Sequence, residues 1–130
     1  MFTLSFDKKH RVLRSTFSGI FSSDDIKASD LATLAFTALH GPSRGLIDFS
    51  NTEVMGVPVS KLLERSLQPQ MTPGRERVMV LPQNDWTVLA QRFGEQQRLG
   101  GSRPPVVVSS VDEAYFILGL VDPCFEEVSL

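Results

Sequence analysis

Apolar residues change their spacing along this chain in a way that spells out alternating strands and helices. Phe2, Leu4 and Phe6 alternate with polar neighbours, the two-residue period of a half-buried strand. After the polar turn Asp7-Lys8-Lys9-His10, Val12, Leu13, Thr16 and Phe17 predict a second strand ending at Gly19, paired with the first as an antiparallel hairpin. Ser22-Ser23-Asp24-Asp25 reads as a helix start, since a hydroxyl can accept from a free N–H and carboxylates complement the positive helix end. Behind it Ile26, Leu31, Leu34, Ala35, Ala38 and Leu39 recur at helical spacing and predict the inward face. His40-Gly41-Pro42 stops that helix.

Arg44 to Phe49 is the third strand, followed by a short polar loop and a helix begun at Pro58 with Leu62, Leu63 and Leu67 inward. Gln68 to Gly74 is rich in breakers and predicts an exposed loop. Arg77 to Leu81 is an apolar fourth strand with the pattern of burial on both faces. Asn84 and Asp85 cap a third helix whose Trp86, Leu89, Ala90 and Phe93 share a face, fading at Gly94. Val106 to Ser109 is a fifth strand. Ser110 to Glu113 reads as a capping box opening a last helix with Ala114, Ile117 and Leu118 inward, closed by Gly119. The order β-β-α-β-α-β-α-β-α predicts an α/β fold: a mixed, mostly parallel five-stranded sheet with four helices. Residues 1–122 form one domain and 123–130 a C-terminal tail.

Composition narrows the class. Apolar residues make up 42% of the 130, enough for a full core, and 22% are charged. The net charge of −2 lacks the basic excess of a nucleic-acid binder. Cys124 is the sole cysteine, which rules out an intrachain disulfide and a thiolate metal cluster. No run of eighteen apolar residues predicts a membrane span, and the amino terminus lacks a signal-peptide pattern, so the expected location is cytoplasmic.

The candidate chemistry gathers after the third strand, at the carboxyl edge where open α/β sheets hold their sites. Asp48, Ser50, Asn51, Thr52, Met55, Val57 and Pro58 are the candidate binding residues. Met55 and Val57 can present an apolar patch there. Asp48 and Ser50 carry a second reading, in which they only satisfy backbone groups of the loop. No phosphate-binding or dinucleotide glycine motif is present, so no cofactor is expected. His10 and His40 fall in turns at the opposite strand edge, too far to serve Ser50, and two histidines make no metal site.

The strand and helix order, Asp48-Phe49-Ser50, and the closing Val106 to Ala114 pattern resemble STAS domains, the anti-sigma-factor-antagonist family, and within it the stand-alone STAS-like proteins of bacteria. In the phosphorylated members, Asp-hydrophobic-Ser is followed by a hydrophobic residue and then Asp-Ser-Ser-Gly, whose serine opens the next helix. Here Met55 matches the hydrophobic residue, but Gly56-Val57-Pro58-Val59 occupies the acceptor stretch and offers no hydroxyl. The resemblance implies a non-enzymatic regulatory or binding module that contacts a protein partner or small ligand through the loop and helix after the third strand. Two alternatives accompany it: a phospho-switch with a displaced acceptor at Ser50, Thr52 or Ser60, and a binder of small anionic or lipid-like molecules. An exposed edge strand is also compatible with a homodimer.

Overall fold

The computed structural model describes residues 1–66, 75–82, 87–101 and 103–129. Strands β1 (Phe2–Asp7) and β2 (Val12–Phe21) form the expected hairpin, with Phe2 opposite Phe17 and Asp7 opposite Val12. Helix α1 (Ser23–His40) leads to β3 (Arg44–Met55), α2 (Val59–Ser66) to β4 (Arg77–Val80), and α3 (Thr87–Leu99) to β5 (Val106–Val108). Helix α4 (Val111–Leu118) and a short β6 (Glu126–Glu127) close the chain.

The sheet order is β5-β4-β3-β2-β1-β6. β2, β3, β4 and β5 run parallel, whereas β1 is antiparallel to both β2 and β6. The sheet is mixed, as expected, but the expectation of a mostly parallel sheet of five strands is corrected: the described residues form six strands in one sheet. The added strand comes from the stretch read as a tail. Its two glutamates gave no apolar alternation, because β6 is an exposed edge held by backbone pairing to Ser5 and Phe6. It covers the outer edge of β1.

Each parallel step moves the chain in one direction across the sheet, so right-handed crossovers set α1, α2 and α3 on the same face. On that face Phe36 of α1 packs with Leu4, Phe6 and Leu13, and Leu62 of α2 packs with Phe17, Phe21, Phe49 and Val57. Helix α4 covers the other face, burying Ala114 and Leu118 against Val12, Leu46, Val78, Val80 and Val108. Strand alternation explains the division: Leu46 and Asp48 point toward α4, Ile47 and Phe49 toward α1–α3.

Several boundaries differ from expectation for identifiable reasons. β2 does not stop at Gly19; that glycine takes φ +67° beside two register shifts against β3, and the strand bends on to Phe21. β3 likewise continues through the residues expected in a loop, as far as Met55. Gly56 ends it where a Cβ would lie 2.8 Å from the Phe21 carbonyl oxygen, so only glycine lets the chain cross there. α3 passes through Gly94 to Leu99. Ile117 is half out of the core, while Ala114 and Leu118 point inward as expected. Residues 67–74 and the caps Asn84 and Asp85 with Trp86 lie outside the described residues, as do the side chains of Leu89 and Ala90.

The caps are specific. Ser22 and Asp25 form a reciprocal box at the start of α1. At α4 the box is half made: Ser110 Oγ accepts from the Glu113 N–H, but the Glu113 carboxylate takes the Ser109 and Ser110 hydroxyls instead of the Ser110 amide.

The largest departure concerns the inward face of α1. Leu31 is 69% exposed and Leu39 73%, and Leu34, Ala35 and Ala38 are exposed with them. Phe36 is the buried anchor, and Ile26, Ser29, Asp30 and Thr33 face the sheet. The helix turns a partly polar face inward, which hydrophobic periodicity cannot anticipate. That face lines a pocket between the sheet and α1–α3.

Candidate functional site

Between the sheet and α1–α3 lies a cavity of about 200 Å³, half open to solvent. Helix α1 packs over β1 and β2, while α2 packs against α3 on the far side. Among the described residues, an ion pair spans the space between these two groups of helices. Arg65 of α2 donates from Nε and an Nη to the two carboxylate oxygens of Asp30 on α1, at 3.0 and 3.1 Å. This fork-on-fork geometry is the strong form of a charged hydrogen bond.

The two ends of the cavity differ in chemistry. At the carboxyl end of the strands its wall is carbon: Phe17, Phe21, Phe49, Ile26, Met55 and Leu62. Phe17 stacks on Phe49 with ring centres 5.0 Å apart, and Phe21 meets both rings edge-on. At the amino end the wall is polar, formed by Ser43, Arg44, Arg77 and Gln97. Arg77 opens β4 beside Gly45, and its stem runs past the position where a side chain on Gly45 would stand. Its guanidinium donates to Gln97 Oε1 at 3.1 Å and to the Arg103 carbonyl at 2.6 Å. Among the described residues it meets no carboxylate. Burial, with the charges of Arg65 and Arg103 adding, pushes its pKa down to about 10, so it stays cationic at neutral pH. Gln97 is 2% exposed and Ser43 3%, and the Ser43 hydroxyl has no hydrogen-bond partner among the described residues.

The residues singled out from the sequence are mostly elsewhere. Only Met55 of that set lines the cavity. Asp48 points to the α4 face, fully buried, where it accepts from Arg14 at 2.5 Å, the Ser50 hydroxyl at 2.6 Å and the Ser50 amide at 2.9 Å. Burial works to raise its pKa, but the Ser50 hydroxyl and amide and the Arg14 charge outweigh that and lower it. Arg14 in turn lies over the Phe125 ring and near the Tyr115 hydroxyl. Asp48 thus takes one loop amide and one loop hydroxyl and, beyond the two readings, pairs with Arg14.

Val57, expected on an exposed apolar loop, is 4% exposed and packs among the cavity-end phenylalanines. The docking patch of Met55 and Val57 is corrected accordingly: β3 extends so far that these residues fold back over the core. Asn51 and Pro58 are exposed. Among the displaced acceptors, Thr52 is buried and donates to the Phe17 carbonyl, which leaves it closed to a kinase. Ser50 holds its hydroxyl on Asp48, and Ser60 is exposed in the first turn of α2.

Sequence reasoning missed Asp30, Ser43, Arg65, Arg77 and Gln97. Asp30 and Thr33 interrupting an apolar helix, and Arg77 opening an apolar strand, were the available signals. Nothing in the sequence pairs Asp30 with Arg65. No three His, Cys, Asp or Glu side chains among the described residues are grouped to hold a metal ion. No helix among them is long and apolar enough to cross a membrane. No family model matches the chain, and no curated protein matches it either.

Proposed function

We propose that this chain is a non-enzymatic, STAS-like binding module that encloses a small, largely apolar molecule in the cavity between its sheet and α1–α3. The carrying observation is the cavity itself, walled by a cluster of phenylalanines and crossed by the Asp30–Arg65 pair. Ligand sites have this form, mostly apolar walls with a few placed polar groups. The pocket is half open to solvent, and its aromatic rings line a space with room for a small molecule. The inverted α1 supports the same reading: its Ser29, Asp30 and Thr33 face the void while leucines face water. A hairpin followed by strand–helix repeats supports the STAS-like assignment. Docking of a protein through Met55 and Val57 is disfavoured by the burial of Val57.

The test uses the neutral fluorescent probe N-phenyl-1-naphthylamine. The wild-type chain takes it up saturably, one per chain, with a rise in emission. Ile47→Trp, which fills the cavity from the middle of β3, abolishes uptake while far-ultraviolet circular dichroism stays native. Absent saturation in the wild type, or equal uptake by a folded Ile47→Trp variant, overturns the proposal.

A further inference from the structure

We infer that the occupant is an amphipathic monocarboxylate, its carboxylate seated at Ser43, Arg77 and Gln97 and its alkyl body lying against Phe17, Phe21 and Phe49. This rests on the binding role proposed above and adds the class and orientation of the ligand.

Charge counting at the polar end carries the first step. Three arginines line the cavity, Arg44, Arg65 and Arg77. Asp30 pairs with Arg65, and Glu76 lies 3.8 Å from Arg44, which also donates to the Leu118 and His10 carbonyls. Arg77 is left with neutral acceptors only among the described residues, the Gln97 amide and the Arg103 carbonyl. A partly buried cation without a counter-charge is unfavourable unless an anion reaches it. One uncompensated guanidinium calls for one negative charge, and a carboxylate matches its planar fork.

The second step is the Ser43 hydroxyl, buried at the cavity wall with no partner among the described residues. Buried hydroxyls without partners are rare; the Ser43 oxygen has almost no accessible surface as it stands, and turning to another side-chain rotamer would let it donate to a second carboxylate oxygen. The third step is polarity along the cavity. From Gly45, level with Arg77, to Phe49 the strand advances about 13 Å. Over that distance the wall passes from arginine and serine to phenylalanine. A molecule with one charged end and a saturated chain matches both ends at once; a compact anion such as inorganic phosphate leaves the aromatic end empty.

Displacement of N-phenyl-1-naphthylamine by decanoate, decanol and decyl phosphate tests this directly. Decanoate should bind at least tenfold more tightly than decanol, and more tightly than the doubly charged phosphate. Arg77→Gln should reduce decanoate affinity to about that of decanol, with Arg77→Lys restoring part of the difference. Ser43→Ala should weaken decanoate several-fold while leaving the unfolding temperature unchanged or higher, because an unsatisfied hydroxyl has gone. Equal affinity for decanoate and decanol, tighter binding of decyl phosphate, or an undiminished decanoate preference in either folded variant overturns the carboxylate assignment while uptake of the neutral probe stands. Failure of the neutral probe to bind overturns the underlying binding role as well.

Discussion

Asp48→Asn isolates the charge on the fully buried side chain of β3. The amide keeps the size of the carboxylate and can still accept from the Ser50 hydroxyl and amide, but it turns an N–H₂ group toward Arg14. The arginine then loses its only carboxylate partner among the described residues while its stem stays fixed under Tyr115 and Phe125. Breaking a buried pair from one side costs about 3–5 kcal/mol, and Arg14 retains some solvent, so the lower end, about 3 kcal/mol, is expected. For a domain of this size that is a fall of roughly 10 °C in unfolding temperature. The assay is urea unfolding followed by circular dichroism for the wild type, Asp48→Asn, Arg14→Met and the double variant. The double variant should recover about 2 kcal/mol relative to the sum of the single losses. The pH dependence has a definite sign. The Asp48 pKa in the fold lies below its ordinary 3.8, so its contribution is complete above that value and is lost as pH falls through the lowered one. The difference between wild type and Asp48→Asn should therefore shrink as pH falls below 3.8. A variant within 0.5 kcal/mol of wild type at neutral pH, or a gap that does not narrow in acid, refutes the reasoning.

Two further outcomes follow from the fold. Phe36→Ala removes the buried anchor of α1 and should cost about 3–5 kcal/mol, whereas Leu31→Ser and Leu39→Ser on the exposed face should each stay within about 0.5 kcal/mol in the same urea assay. Asp7→Asn loosens a buried carboxylate that accepts from the His10 ring and amide and from the Cys124 amide, while His10 also accepts from the Val121 amide. Amide exchange in that variant should quicken at Val121 and Cys124 and stay slow in β4.

The order of elements was legible because strands and helices here carry strong local signals: alternation in β1, serine caps at Ser22 and Ser110, and Gly119 in the left-handed cap. The site was not. Glu126 and Glu127 pair by backbone alone, so β6 left no pattern to find. β3 ran past Phe49 because its partner β2 bends with it through two register shifts, a tertiary fact that no polar run of Ser50 to Glu53 could announce. The face of α1 was inverted because apolar periodicity presumes a helix packed flat on an apolar core, whereas Asp30 and Thr33 line a half-open pocket and Asp30 pairs across it with Arg65. Asp48 drew attention by its position at a strand end. It pairs with Arg14 on the opposite side of the sheet from the cavity.

Methyl-resolved NMR during a decanoate titration probes the cavity most directly. Saturable shifts at Ile26, Ile47, Met55 and Met79, which line the void, with little change at exposed Ile20, Leu31 and Leu39, are the predicted result. Shifts confined to the exposed methyls, or shifts that rise linearly without saturating, would contradict an enclosed ligand.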